Sequence, residues 1–443
     1  MSIIIPANSA VGGGYNVDNS CRFNKTSSDY LNKTLGTATN RKKFTFSLWC
    51  KRSSLTDNFG QLMTVGTDGG TNIDEFNFHS TEKLSFQGYE SGVQEFQLRT
   101  NQLFRDISAW YHVVVAYDST QGTSSNRIKM YINGTQVTSF AIENYPDQNH
   151  EPLFNSNVPN YIGRYISASY YYNGYISEAI LVDGQALDPT SFGEFDEDSG
   201  IWKPIDVSGL TFGNNGYYLD FENSGALGAD VSGNGNNFTV NNLTAVDQST
   251  DTCTNNGAVL NNLVPTASVT FSEGNLKLVG SSTGAYDNRS QSTFGVQSGK
   301  WYFEVEADAL GNSLGSIGVG YTERAANINP TSSNTGDVCV RLDNIKYDEG
   351  SATSSYFPSS ISAGDIIGVA LDMNNGKIWF SKNGTFVGTV DSSGEASTFT
   401  VGNGITITPT FRPMNSTLLC NFGSPSFAIS SGNTDGDGYG NFE

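Results

Sequence analysis

Residues 362–384, SAGDIIGVALDMNNGKIWFSKNG, constrain the fold of this chain more than any other stretch. Ile366, Gly368, Ala370 and Asp372 alternate with Ile367, Val369 and Leu371. That period of two puts successive side chains on opposite faces of a sheet. The run turns at Asn374-Asn375-Gly376, continues as a second strand and turns again at Asn383-Gly384. Asn and Gly supply the positive φ that tight hairpin turns require, so the stretch reads as two hairpins in succession.

The rest of the chain points the same way. Gly, Ser, Thr, Asn and aromatic residues are abundant, and long Ala/Leu/Glu/Lys runs are absent, which favours short strands and tight turns over helices. The 443 residues exceed one sandwich and suit two or three domains. A net charge of -20 argues against nucleic acid, whose binding needs a basic patch, and against an anionic membrane surface. The opening MSIIIPANSAVGGGYNVDNS has a short apolar run without a basic start, and reads as neither a secretory signal nor a membrane span. The cysteines (Cys21, Cys50, Cys253, Cys339, Cys420) are odd in number and never in C-x-x-C spacing, which favours reduced, mostly buried thiols.

Residues 1–20 read as an extended arm with a Gly12-Gly13-Gly14 hinge, and 21–204 as a first sandwich. Its strands include Phe44–Trp49 (FTFSLW), Trp110–Tyr117 (WYHVVVAY) and Arg127–Ile132, then Tyr161–Arg164 and Tyr175–Val182. Residues 205–262 read as a strand-bearing linker, with a strand at Tyr217–Phe221 and a glycine-rich loop at Asp230–Asn237, either a strand pair completing a sheet or a remnant bridging the two domains. A second sandwich, 263–429, opens at Trp301–Glu306, and 430–443 is a loose Gly- and Asp-rich tail. The fold class is all-β: two antiparallel sandwiches in tandem.

Both sandwiches resemble known families. FTFSLW, WYHVVVAYD at Trp110–Asp118, KMYING at Lys129–Gly134 and the closing run Tyr161–Leu187 resemble the laminin G-like, or concanavalin A-like, jelly roll. Gly364-Asp365, Gly368, Asp372, Ile378, Phe380, Asn383 and Gly384 resemble the SPRY (B30.2) family, as do Trp301–Val305 and Ile317–Tyr321. That family is a recognition module rather than a catalyst. The order of the two, with DVSGNGNNF between them, resembles virion proteins of marine tailed phages. The resemblance implies a tail fibre, adhesin or capsid decoration of the virion, assembled in the host cytoplasm. Its implied partners are other virion proteins, further copies of itself (a trimer among the options) and host-surface polysaccharide.

Two groups of residues bear on catalysis. Glu194 and Asp196 share a strand face, whereas Glu197 points to the other, and the string follows the last sandwich strand instead of lining a groove. Retaining glycoside hydrolysis needs two carboxyls about 5–5.5 Å apart, so a solvated acidic loop is the better reading and no enzyme is expected. His79, His112 and His150 are scattered and form no catalytic or metal set. Calcium takes six to eight oxygen ligands, and two loops offer some: Asp68, Asn72 and Asp74, and Asp230, Asn234 and Asn236. The plainer reading of both is an Asx or glycine turn. Asn433–Gly438 resembles half an EF-hand loop, without its final glutamate or helices.

For ligand recognition, Tyr170, Tyr171, Tyr172 and Asn173 stand out: alternate side chains point opposite ways, so at least one tyrosine is expected outside the core. Tyrosine beside asparagine suits sugar stacking with hydrogen bonding, and also contacts between subunits. In the SPRY-like part the resemblance points to loops carrying Tyr347 and Tyr356. The expected function is non-enzymatic glycan binding or virion attachment. Its competitors are a purely structural head or tail protein and a polysaccharide depolymerase.

Overall fold

The computed structural model describes residues 14–57, 59–263, 268–282, 289–321, 338–348, 350–388, 397–398, 405–436 and 440–443. Residues 1–13, with most of the expected arm, and Asp437-Gly438 of the EF-hand-like string lie outside them. The chain divides into two compact units, one ending at Asn256 and one starting at Gly257. Both are antiparallel β, as the alternating runs require.

In the first unit one sheet runs, in spatial order, β10 (Thr135–Gln136), β9 (Ile128–Ile132), β8 (Trp110–Asp118), β3 (Lys43–Arg52), β13 (Gly174–Asp183), β1 (Ser20–Phe23) and β18 (Gln248–Ser249), with β16 (Tyr217–Leu219) also on β13. The facing sheet runs β11 (Phe140–Asn144), β7 (Val93–Thr100), β6 (Leu84–Glu90), β5 (Asn72–His79), β4 (Phe59–Asp68), β12 (Pro159–Ile162), β2 (Tyr30–Thr34) and β17 (Thr239–Asn241). Alternation fills the space between them: Phe44, Phe46 and Leu48 of β3 meet Phe76, Phe86 and Phe96 of the facing sheet in one core. Each such side chain contributes roughly 1.5–3 kcal/mol by leaving water.

The first sheet is buried on its outer face too. Val114, Ile180 and Val182 pack there against Phe192, Val207, Phe212 and Tyr218. A two-stranded ribbon, β14 (Gly193–Phe195) and β15 (Trp202–Pro204), lays Trp202 against His112. His112 lies between the Trp49 and Trp202 rings, accepts from Trp202 Nε1 at 3.0 Å, and bonds Ser47 Oγ at 2.9 Å. Burial pushes its pKa down to about 3, so it is neutral. The structure thereby corrects the reading of 205–262 as a linker: β16, β17 and β18 complete the two sheets of the first unit. Buried Lys51 reaches Asp251 at 2.7 Å and Asn256 at 2.9 Å, while Trp110 Nε1 donates to the same Asp251 at 2.9 Å. Residues 14–20 are no free arm either, because Tyr15 bonds Tyr218 at 3.0 Å and Val17 N–H donates to Thr254 Oγ1 at 3.1 Å.

In the second unit one sheet runs β19 (Val269–Ser272), β20 (Lys277–Gly280), β32 (Thr417–Asn421), β22 (Lys300–Ala309), β27 (Ile366–Asp372), β28 (Lys377–Lys382) and β29 (Thr385–Phe386), with β30 (Ser397–Thr398) also on β28. The other runs β21 (Ser290–Gln291), β31 (Ile407–Arg412), β23 (Ser316–Tyr321), β24 (Val338–Arg341), β25 (Ile345–Asp348) and β26 (Ser351–Ser354). The hairpin expected from residues 362–384 is β27–β28, registered from Ile367 opposite Lys382 to Asp372 opposite Lys377. The tail is not loose: Asn433 and Phe442 exchange both backbone hydrogen bonds at 2.8 Å, and Phe442 is buried.

Candidate functional site

Cross-strand register puts one polar row on the outer face of the eight-stranded sheet that starts at β11. Asn144, Gln97, Gln87, Glu75, Thr64, Tyr161, Asn32 and Thr239 stand directly opposite one another in turn, one per strand. Residues so paired share a face. Glu75 sits in the middle. Its carboxylate accepts from Gln61 Nε2 at 3.0 Å, Asn77 Nδ2 at 3.1 Å and Gln87 Nε2 at 3.2 Å. Gln97 donates to Gln87 Oε1 at 2.6 Å, extending the amide chain towards the sheet edge. Burial raises the Glu75 pKa, and the three amides oppose that rise by stabilising the charged form.

Residues 163–171, between β12 and β13, form a small hairpin over this row. Tyr165 and Tyr170 exchange a backbone hydrogen bond of 2.7 Å, and Arg164 bridges to Tyr171. On one flank, Tyr170 packs edge-on to Phe59 at 5.1 Å, and Phe59 to His79 at 5.2 Å. Tyr165 lies near enough to Glu75 for that carboxylate to act with burial in raising its phenol to about 12. On the other flank the Arg164 guanidinium lies 4.4 Å from the Tyr30 ring centroid and 4.8 Å from that of Tyr161. Tyr171 completes this group, 6.5 Å from Tyr30. Asn32 and Asn241 stand beside it, joined at 2.7 Å. All three tyrosines and both asparagines are half-buried.

The tyrosine run divides between surface and core, though not by strand alternation, which would put Tyr170 and Tyr172 on one face. Tyr170 and Tyr171 are half-buried on the hairpin, the latter within the aromatic group. Tyr172 and Asn173 are corrections: Tyr172 is core, donating its hydroxyl to Lys51 O at 2.8 Å against the Phe23 ring, and Asn173 is buried behind it. Tyr347 and Tyr356 are also corrections. Both are buried, Tyr347 beneath the Arg341 guanidinium and Tyr356 between Phe357 and Phe380.

Several oxygens of the two candidate calcium loops already accept hydrogen bonds. At Asp230, Oδ1 accepts the N–H groups of Tyr218 and Ser232 at 2.9 Å, and Oδ2 that of Asn236 at 2.7 Å. Asn234 turns its amide N–H groups to the carbonyls of Gly213 and Gly216. In the other loop Asp68 is exposed and the Asn72 amide oxygen accepts from Ser91 N–H at 3.0 Å. Asp74 is buried, accepts from Phe154 N–H at 2.8 Å, and is pushed up to about 8 by burial. Glu194 and Asp196 do share a face, where both pair with Lys203 at 3.3 and 3.1 Å.

Sequence reasoning passed over Glu75, Gln61, Gln87, Tyr30 and Tyr161. The signal was present in Glu75-Phe76-Asn77-Phe78, Ser85-Phe86-Gln87 and Phe96-Gln97-Leu98, where Phe or Leu alternates with an amide or acid. Such a strand has a core face and an equally specified polar face.

Comparison with known proteins agrees with the two-unit architecture. Residues 25–190 match the profile of the concanavalin A-like lectin/glucanases superfamily, and residues 300–423 that of the SPRY domain. One match falls in each of the two units, in that order along the chain. Among solved structures it is similar to domains LG4-5 of the mouse laminin alpha1 chain, with 11% identity over 93% of this chain and 85% of that one, TM-score 0.31. The SPRY domain of human HERC1 matches with 19% identity over 33% of this chain and 87% of that one, TM-score 0.25. A heptameric SAP-like pentraxin from Limulus polyphemus matches with 18% identity over 39% of this chain and 78% of that one, TM-score 0.29.

Proposed function

We propose that this chain is a non-enzymatic recognition protein that binds polysaccharide on the outer face of its first unit, and that it acts as a bacteriophage virion protein. The observation that carries the glycan reading is the half-buried group of Tyr30, Tyr161 and Tyr171 around Arg164, with Asn32 and Asn241 alongside. Tyrosine rings give a sugar flat apolar surface, and adjacent amides satisfy its hydroxyls. The lectin half of the matched superfamily description is consistent with this. A binding role is favoured over hydrolysis because the side chains hydrogen-bonded to Glu75 are the amides of Gln61, Asn77 and Gln87, whereas retaining cleavage requires a second carboxyl about 5–5.5 Å away. Placement on a virion, with other virion proteins and further copies as partners, rests on the order of sequence motifs.

The test is a glycan array of bacterial surface polysaccharides probed with the whole chain, followed by calorimetry on any hit. Tyr161→Ala and Tyr171→Ala should each weaken binding about tenfold, or about 1.4 kcal/mol. Binding unchanged in both variants would move the site elsewhere. No binding on the array would favour a purely structural protein, and release of reducing ends would identify a depolymerase.

A further inference from the structure

The sheet of the second unit that contains β22 has an occupant on its outer face. Asn421, Glu304, Gly368, Ser381 and Phe386 stand opposite one another across β32, β22, β27, β28 and β29, and therefore share that face. Gly368 leaves a hollow there: a Cβ at that position would come within 2.3 Å of Tyr302 Oη and Ser381 Oγ. Glu304 is 1% exposed, and its carboxylate accepts from Tyr302 Oη at 2.9 Å and Asn421 Nδ2 at 3.0 Å. It also accepts from the backbone N–H of Glu443 at 3.1 and 3.2 Å.

Residues 441–443 thus lie on this row. Asn441 donates its N–H to Gly423 O at 3.0 Å and accepts from Asn421 Nδ2 at 2.8 Å. Phe442 packs edge-on to Tyr302 at 5.1 Å and is 9% exposed. The Glu443 carboxylate accepts from Ser430 N–H at 2.7 Å. Residues 430–436 are solvent-exposed throughout. The anchorage is therefore one aromatic ring and a few backbone-directed hydrogen bonds. All of it is peptide recognition of the kind a separate chain can make.

We propose that this face is a peptide-docking surface for the extended sequence Asn441-Phe442-Glu443, and that a second copy of the chain supplies it in the assembled protein by exchange of residues 430–443. Exchange reproduces every contact of the closed form, so the balance between forms is set by protein concentration and by the segment joining the tail to β32. This inference is independent of the glycan site, which lies in the other unit.

The test uses two full-length variants, Phe442→Ala to disable the tail and Tyr302→Ala/Asn421→Ala to disable the surface, each checked for native circular dichroism. Native mass spectrometry should show wild-type dimers increasing with concentration, neither variant dimerising alone, and a heterodimer in their equimolar mixture. A labelled peptide of residues 430–443 should bind the Phe442→Ala chain at least tenfold more tightly than the surface variant. Excess peptide should convert wild-type dimers to monomers, a measurement that needs no variant to fold. Wild-type chains that stay monomeric at the solubility limit, or dimers indifferent to the peptide, would overturn the exchange. A peptide that binds neither variant would overturn the docking surface.

Discussion

Glu178 interrupts β13 with a φ of 50° at a register shift between Ser177 and Ile180, a bulge that turns its carboxyl to the outer face of the sheet. There it accepts from Tyr218 Oη at 2.7 Å, and Tyr218 bonds Tyr15 in turn. Burial raises its pKa from 4.5 to about 8, so the folded chain holds a proton that the unfolded chain releases near pH 4.5. Stability from this group is complete below about 4.5 and is lost as pH rises to about 8. Asp74, also pushed up to about 8, acts in the same sense. Glu178→Gln keeps the acceptor for Tyr218 and removes the titration. Its melting temperature should exceed the wild type's at pH 8, equal it near pH 4.5, and vary less between. His112 works in the opposite direction, losing stability as pH falls from 6.5 towards about 3. The buried Lys51–Asp251 pair sets a second expectation. Asp251→Ala strands an ammonium without its carboxylate, and urea unfolding should show a loss of about 3–5 kcal/mol.

Among the elements, the β14–β15 ribbon depends on a missing side chain. Gly134 has a φ of 76°, and a Cβ there would approach the Trp202 ring to 2.2 Å. Gly134→Ala should lower stability by about 1–3 kcal/mol and speed proteolysis within 193–204, read by limited chymotrypsin digestion against wild type. The elements also divide what was legible in the sequence from what was not. Strands such as Phe44–Trp49 and Ile366–Asp372 were readable because alternation is local. The short strands β16, β17 and β18 were not, since Tyr217–Leu219 or Gln248–Ser249 becomes sheet only through partners far away in sequence. The candidate site was half legible. Tyr171 belongs to it, but Tyr30 and Tyr161 join it only when β2 pairs with β12. Tyr347 and Tyr356 misled because exposure, unlike periodicity, is decided by the whole packed layer.

At the scale of the molecule, the matched stretch 25–190 is shorter than the folding unit that contains it. A fragment of residues 14–256 should unfold in one cooperative transition by circular dichroism. One ending at residue 204 lacks β16, β17, β18 and the partner of Lys51, and should aggregate or lose that transition. A fragment ending at 204 that melted as sharply would show that the later strands are ornament.

The placing of those late strands has a consequence for synthesis. β1 takes its outer partner from Gln248–Ser249, and β2 takes its own from Thr239–Asn241. While the ribosome is still translating residues 190–240, the nascent first sandwich has two bare edges and an uncovered Val114–Ile180–Val182 surface. Such a chain emerges with its sticky parts showing and seals them only when the last of some 250 residues clears the exit tunnel. Pauses in translation before that point should favour clumping, and pauses after it should be harmless.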